Sequence, residues 1–240
     1  MDTQSSTPIY EGKAKKLFAS STPDQVLVEY KDSLTAFNGQ KKDSMAGKGF
    51  YTNQISCLLF QYLNSKGVAT HFVEPLGDLT HMAKKVSIIP LEVVVRNIAT
   101  GSLCKRLGVP DKQKFPRPLL ELYLKDDNLG DPIVTDDHAL LFGWSTEEEL
   151  AEVKSRALEI NKLLGELFDS IGIVLADFKL EFGKTPDGEL VLADEISPDT
   201  CRFWDKKTLE KLDKDRFRQD LGNVLGAYEE ILKRLKERLT

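Results

Sequence analysis

The run IVLADFKLEFG (residues 173–183) is followed by Pro186-Asp187-Gly188 and then ELVLADEISPDTCRFWD (residues 189–205). Together they read as a β-hairpin that leads into a polar loop. Alternation in the first run puts Asp177, Lys179 and Glu181 on one face of a strand and Phe178, Leu180 and Phe182 on the other. Leu190, Leu192 and Asp194 share a face of the second run. Asp187-Gly188 suits a two-residue type I′ turn, and that loop sets Glu181 directly opposite Asp194. A four-residue Thr-Pro-Asp-Gly turn keeps Asp194 on the polar face, whereas a three-residue loop brings Glu195 there instead. An acid reaches that polar face in each register.

Two carboxylates about 5 Å apart repel by roughly 3 kcal/mol at an effective dielectric near 20. Lys179 offsets part of this. A divalent cation would satisfy Asp177, Glu181 and Asp194 better, and hard oxygen ligands with few carboxylates suit Mg²⁺ held together with substrate phosphates. The same alternation also describes a solvated hairpin whose charged face meets water, and geometry alone leaves both readings open.

The remaining composition narrows the class. The 240 residues suffice for a substantial core, in one large domain or two lobes. With 41% hydrophobic and 30% charged residues the chain reads as soluble and globular, and a net charge of −5 argues against nonspecific nucleic-acid binding. No run approaches the roughly 18 apolar residues of a membrane span, and MDTQSSTPIY lacks the pattern of a signal peptide. Cys57, Cys104 and Cys201 are odd in number and far apart, with no C-x-x-C and no H-E-x-x-H, so free thiols in a reducing cytoplasm are expected.

Along the chain, two β runs open at Ile9–Phe18 and Val26–Tyr30. A helix is expected from about Phe50 to Ser65, with Gly67 closing it, and a strand over 68–74. Pro90 marks a boundary between lobes, placing 1–86 in a first lobe and 87–240 in a second. The second lobe opens on the strand Leu91–Arg96, and Ser102 is placed as the N-cap of a short helix. Residues 110–144 read as irregular, 145–171 as a helix, and 209–239 as a helical region broken near Gly222 or Gly226. Within the last, Asp213-Lys214-Asp215-Arg216 reads as a solvated face. Strands and helices mix without βαβα regularity, so the class is α+β.

No P-loop and no Rossmann turn is present. Gly12-Lys13-Ala14-Lys15 between two strands can lay backbone N–H groups and a lysine over phosphates, as a kinase glycine-rich loop does, though most such pairs are surface turns. Gly47-Lys48-Gly49 presents either an anion-binding helix start or a flexible helix entry. Arg96, followed by Thr100-Gly101-Ser102, combines charge, hydroxyls and close backbone approach for a phosphate monoester, and Arg202 is placed to meet Arg96 in the same cleft. A capped turn with an exposed arginine is the plainer alternative.

Taken together, Tyr10-Glu-Gly-Lys-Ala-Lys15, Glu92-Val-Val-Val-Arg-Asn97 with Thr100-Gly-Ser102, Asp177–Gly183, Asp194–Asp205 and Asp213–Arg218 resemble the SAICAR synthetase family over nearly the whole chain and in the same order. That resemblance implies an ATP-dependent ligase of purine synthesis, which joins the carboxylate of carboxyaminoimidazole ribotide (CAIR) to the amine of L-aspartate. It implies a smaller N-terminal antiparallel-sheet lobe over a larger α+β lobe, with ATP in the cleft between them. Gly12, Lys13, Ala14 and Lys15 would contact nucleotide phosphates, and Glu181 and Asp194 would hold Mg²⁺. Arg96, Ser102 and Arg202 would take the ribotide phosphate, with Asp177 and Lys179 at the reacting carboxylate. Dimers are common in the family, so a homodimer is among the expected assemblies. Some relatives carry Asp where Asn38 stands, which leaves a charged contact there in doubt. From the parts alone, a small-molecule kinase or a noncatalytic nucleotide-binding module would use the same glycine turn and acidic hairpin.

Overall fold

A computed structural model describes residues 7–36 and 41–240; Asn38 lies outside them. The chain runs β1 (Tyr10–Glu11), β2 (Lys15–Ala19), β3 (Gln25–Tyr30), β4 (Ser33–Ala36), β5 (Lys41–Ser44), α1 (Lys48–Ser65), β6 (Phe72–Pro75), β7 (Thr80–Lys84) and β8 (Ser87–Ile98). It continues through α2 (Ser102–Leu107), β9 (Lys114–Leu124), β10 (Ile133–Val134), α3 (Asp136–Leu141), α4 (Glu147–Ser170), β11 (Ile173–Lys184), β12 (Leu190–Ala193), β13 (Cys201–Asp205), α5 (Asp215–Arg218) and α6 (Val224–Leu239). The architecture is α+β.

The first sheet is antiparallel in the order β1-β2-β3-β7-β6. Leu17, Val26, Val28 and Ala83 cluster on it. The second sheet runs β10-β9-β8-β11, after which β12 pairs one half of β11 and β13 the other. Its apolar face packs on α4, whose Leu150, Val153, Ala157, Ile160 and Leu164 recur at helical spacing and are buried. Thr146 and Glu149 close a capping box at the start of α4. Helix α1 packs against α6, and its Ile55, Leu59, Phe60 and Leu63 join the same large core.

Several expectations need correction. Residues 110–144 are not irregular throughout: β9 spans eleven of them despite Pro116 and Pro118. Both prolines precede the short stretch that pairs with β10, at Leu122 and Tyr123, so their outer edge needs no ladder N–H. Pro90 lies inside β8, at a bulge against β11 where a missing donor is tolerated. The expected strand over 68–74 forms only from Phe72. The segment 209–214 is not helical, and the continuous helix begins at Val224, after left-handed Gly222 and Asn223. Ser102 is the first residue of α2 rather than its cap, a place taken by Gly101.

Candidate active site

Strand β11 gathers the candidate residues because three strands pair along it. Asp177 is the cross-strand partner of Arg96 on β8 and of Arg202 on β13, so adjacent strands present Arg–Asp–Arg in a row. Further along, Glu181 faces Glu92 directly. Two carboxylates in that position repel, and the Lys179 ammonium lies between them, 3.1 Å from Glu92 and hydrogen-bonded to Glu181.

The hairpin register differs from the one the Asp187-Gly188 turn suggested. Thr185 N–H bonds the Glu189 carbonyl across a three-residue Pro186-Asp187-Gly188 loop, and Glu181 stands opposite Ala193. Continued as a strand, that register would turn Asp194 away from Glu181. The strand ends there instead: Asp194 adopts φ +61°, a left-handed conformation that aspartate tolerates better than most residues. This turn brings its carboxylate to Lys15 and to within 3.2 Å of Lys179 Nζ. Backbone conformation, not strand alternation, delivers the second acid. Glu195 is buried beside it.

Gly12, Lys13, Ala14 and Lys15 form the β1–β2 turn, closed by Gly12 N–H on the Lys15 carbonyl at 2.9 Å. They line a cavity of 610 Å³ together with Lys179, Glu181 and Asp194. Apolar side chains of the first sheet, among them Leu17, Val26 and Val28, line it too. Lys13 reaches out to Asp127 at 2.5 Å. The Glu181 carboxylate also accepts from Lys125 at 2.8 Å.

Burial opposes the charges on Asp194, Lys179 and Glu92, and the neighbours decide the outcome. Desolvation alone would raise Asp194, but Lys15, Lys179 and Lys125 hold it far below the usual carboxylate range. Desolvation would likewise discharge Lys179, and Glu181, Asp194 and Glu92 keep it protonated well past its ordinary value. Glu92, half-buried and close to Glu181, is raised by desolvation and by that neighbour despite Lys179.

A second cavity of 430 Å³ is lined by Arg96, Ser102, Asp177 and Arg202, and also by Arg106 and Arg218. Asp177 accepts from Arg96 Nη1 at 2.5 Å and from Arg202 Nη1 at 2.8 Å. Ser102 Oγ lies 3.5 Å from Arg96 Nη2. Gly101, at φ +62°, passes so close to Arg202 that a Cβ there would sit 2.5 Å from its Nη2. The left-handed backbone favours glycine here, and a side chain would have to displace the Arg202 guanidinium. The two cavities share Glu92, Asp131, Lys179, Asp199 and Thr200 in their linings, so they meet around Lys179.

Other segments take roles that the sequence left open or hid. Gly47 and Gly49 turn their N–H groups to Asp32, at 3.2 and 2.9 Å, so the anion at this helix start is the chain's own carboxylate. Lys48 between them is fully buried and pairs with Asp199. Asp213 and Asp215 are buried, not a solvated face. Burial, and then the closeness of Asp215, push Asp213 up to about 7. Asp213 accepts from the N–H groups of Phe203 and Asp215, at 2.9 and 2.7 Å.

Among the described residues no group of three or more His, Cys, Asp or Glu side chains could hold a metal ion unaided. The Glu181 and Asp194 carboxylates nevertheless converge on one cation, the Lys179 ammonium. Two such carboxylates, completed by phosphate oxygens and water, match the way Mg²⁺ binds beside nucleotides.

Known proteins resemble the chain over nearly its whole length. Residues 8–235 match the family model described as SAICAR synthetase. The phosphoribosylaminoimidazole-succinocarboxamide synthase of Wolinella succinogenes is 59% identical over 95% of this chain and 97% of its own. That of Oceanobacillus iheyensis is 56% identical, over 95% and 97%. The crystal structure of the Ehrlichia chaffeensis synthase superposes with a TM-score of 0.94 at 47% identity, covering 96% of this chain and 98% of that one. A SAICAR synthetase in complex with ADP superposes at 0.92 with 45% identity, covering 96% and 98%.

Proposed function

The chain belongs to the SAICAR synthetase family, and on that premise we propose a division of labour within its cleft. The protein is an ATP-dependent ligase of purine biosynthesis, condensing CAIR with L-aspartate to give SAICAR, ADP and phosphate. ATP occupies the larger cavity, between a first lobe of residues 1–86 and a second of 87–240, with its phosphates along Gly12–Lys15. The ribotide phosphate binds at Arg96, Ser102 and Arg202. The observation that carries this assignment is the meeting of the two cavities at Lys179.

A carboxylate is a poor electrophile. Phosphoryl transfer from ATP converts the CAIR carboxylate to an acyl phosphate, and the aspartate amine then displaces phosphate, shedding a proton as the C–N bond forms. Lys179, protonated and aimed into the junction, stabilises the negative charge that gathers on the transferring group. Asp177 orients: its carboxylate is fully engaged by two guanidiniums, which favours alignment of Arg96 and Arg202 over acceptance of a proton. Glu181 and Asp194 would hold Mg²⁺, which supplies charge neutralisation on the ATP phosphates when bound. The reaction belongs to the cytoplasm, and no helix among the described residues is long and apolar enough to cross a membrane.

Sustained ADP release should require CAIR and aspartate together, because acyl phosphate formed without the amine consumes at most about one ATP per site. Multiple turnovers with either one alone, or a stable phosphorylated acceptor accumulating as product, would point to a kinase instead. Glu181→Gln, which preserves shape but not charge, should raise the Mg²⁺ concentration for half-maximal rate by about tenfold or more. An unaltered metal dependence would count against Glu181 as a ligand.

A further inference from the structure

The Arg96–Asp177–Arg202 row extends at both ends. On one side, Glu121 of β9 accepts from Arg96 Nε at 2.7 Å and pairs through its other oxygen with Arg106. On the other, Asp215 of α5 accepts from Arg202 Nε at 3.0 Å and from Arg218 Nη1 at 2.6 Å. The sequence of contacts is Arg106–Glu121–Arg96–Asp177–Arg202–Asp215–Arg218, an unbroken alternation of four guanidiniums and three buried carboxylates. All four arginines line the 430 Å³ cavity. Tyr123 tightens one end: its hydroxyl donates to Glu121 at 2.8 Å and accepts from Arg96 and Arg106 at 3.3 and 3.1 Å.

We propose that Glu121 and Asp215 are positioning residues for the phosphate of the ribotide substrate, holding four arginines converged before it binds. This rests on the assignment of the cavity to that phosphate. A guanidinium presents five N–H donors in a rigid fork. In this arc, carboxylates take some of the donors on each fork, fixing its plane, and the remainder stay available to the cavity. Mutual repulsion would otherwise splay four neighbouring cations, and the rotamer freedom of long side chains would have to be lost on binding. Four arginines against three carboxylates leave a net charge of +1, enough to favour a dianion without a competing internal anion in excess.

Charge and alignment make opposite predictions, which is what renders the idea testable. Glu121→Gln raises the arc from +1 to +2, so if net charge held the phosphate, binding would tighten. If alignment holds it, KM for CAIR should rise about tenfold, with KM for ATP and for aspartate within about twofold and kcat within about threefold. Asp215→Asn should act alike from the other end. A general loss of structure would lower the active fraction for all substrates instead of shifting one KM, and thermal unfolding of both variants separates the cases. Unchanged or lowered KM for CAIR in both variants would overturn the proposal. So would failure of both to fold, which would assign the two carboxylates to the fold alone. Arg202→Lys distinguishes the premise: if it leaves KM for CAIR unmoved, the cavity is not the ribotide site. If it raises KM while Glu121→Gln and Asp215→Asn do not, only the positioning role falls.

Discussion

Replacing Lys179 by methionine is expected to lower kcat by about 10²–10³-fold while ATP affinity at saturating Mg²⁺ holds or improves. The two effects separate because Lys179 serves different partners in the free and the reacting enzyme. In the free protein its ammonium lies among Glu92, Glu181 and Asp194. Without it, three carboxylates face one another with Lys15 and Lys125 as the remaining counter-ions among the described residues. Such a site attracts a divalent ion more strongly. The loss therefore falls on the step in which charge develops where the two cavities meet, and methionine fills the same volume without supplying charge. Initial rates measured over a matrix of ATP and Mg²⁺ concentrations check this. A kcat within about threefold of wild type would remove Lys179 from the charge-stabilising role and leave it as a space-filling counter-ion.

Much of this site was legible because strand alternation is a short-range property. Asp177, Lys179 and Glu181 line one side of β11 as their spacing demanded, and Arg96 and Arg202 meet there because both flanking strands place an arginine opposite Asp177. What alternation does not encode is a departure from it. The positive φ at Asp194 reverses the outcome that the three-residue hairpin loop alone would give, and nothing in Leu-Ala-Asp-Glu announces that turn. Glu121 was hidden for a different reason: Pro116 and Pro118 just before it read as breakers, and only an unpaired outer edge makes them compatible with a strand. Asp213 and Asp215 failed a third way. Charged residues in a run are usually solvated, but here Arg202 and Arg218 compensate Asp215, while two backbone N–H groups receive Asp213. Partners distant in sequence make those burials tolerable, and a linear pattern does not show them.

The same logic governs Lys48, a fully buried cation whose Gly47-Lys48-Gly49 segment read as a helix start and not as half of an ion pair. It sits at the start of α1 with 1% of its side chain exposed, paired with Asp199 and donating to the Ser33 carbonyl at 3.1 Å. Lys48→Met should destabilise the protein by about 3 kcal/mol, the lower end of the cost of breaking a buried ion pair by removing one partner. The lower end applies because Asp199 keeps company: Lys214 Nζ lies 3.8 Å away and the Tyr228 hydroxyl donates at 2.8 Å. Burial alone would raise the Asp199 carboxyl, yet Lys214 and Lys48 together hold it well below the usual range, so removing Lys48 takes away part of what stabilises that buried charge. For a chain of this size, about 3 kcal/mol corresponds to a fall in unfolding midpoint of roughly 6–12 °C. The exposed Lys206–Asp169 pair provides the contrast. Solvent already screens it, and Lys206→Met should move the midpoint by less than about 2 °C. Paired thermal melts of the two variants decide the matter. Equal shifts would mean that burial of the Lys48–Asp199 pair does not set its contribution. Because Asp199 also lines both cavities, the Lys48→Met protein should lose turnover even well below its melting transition, as Asp199 shifts toward Lys214 and the wall between the two substrates moves with it.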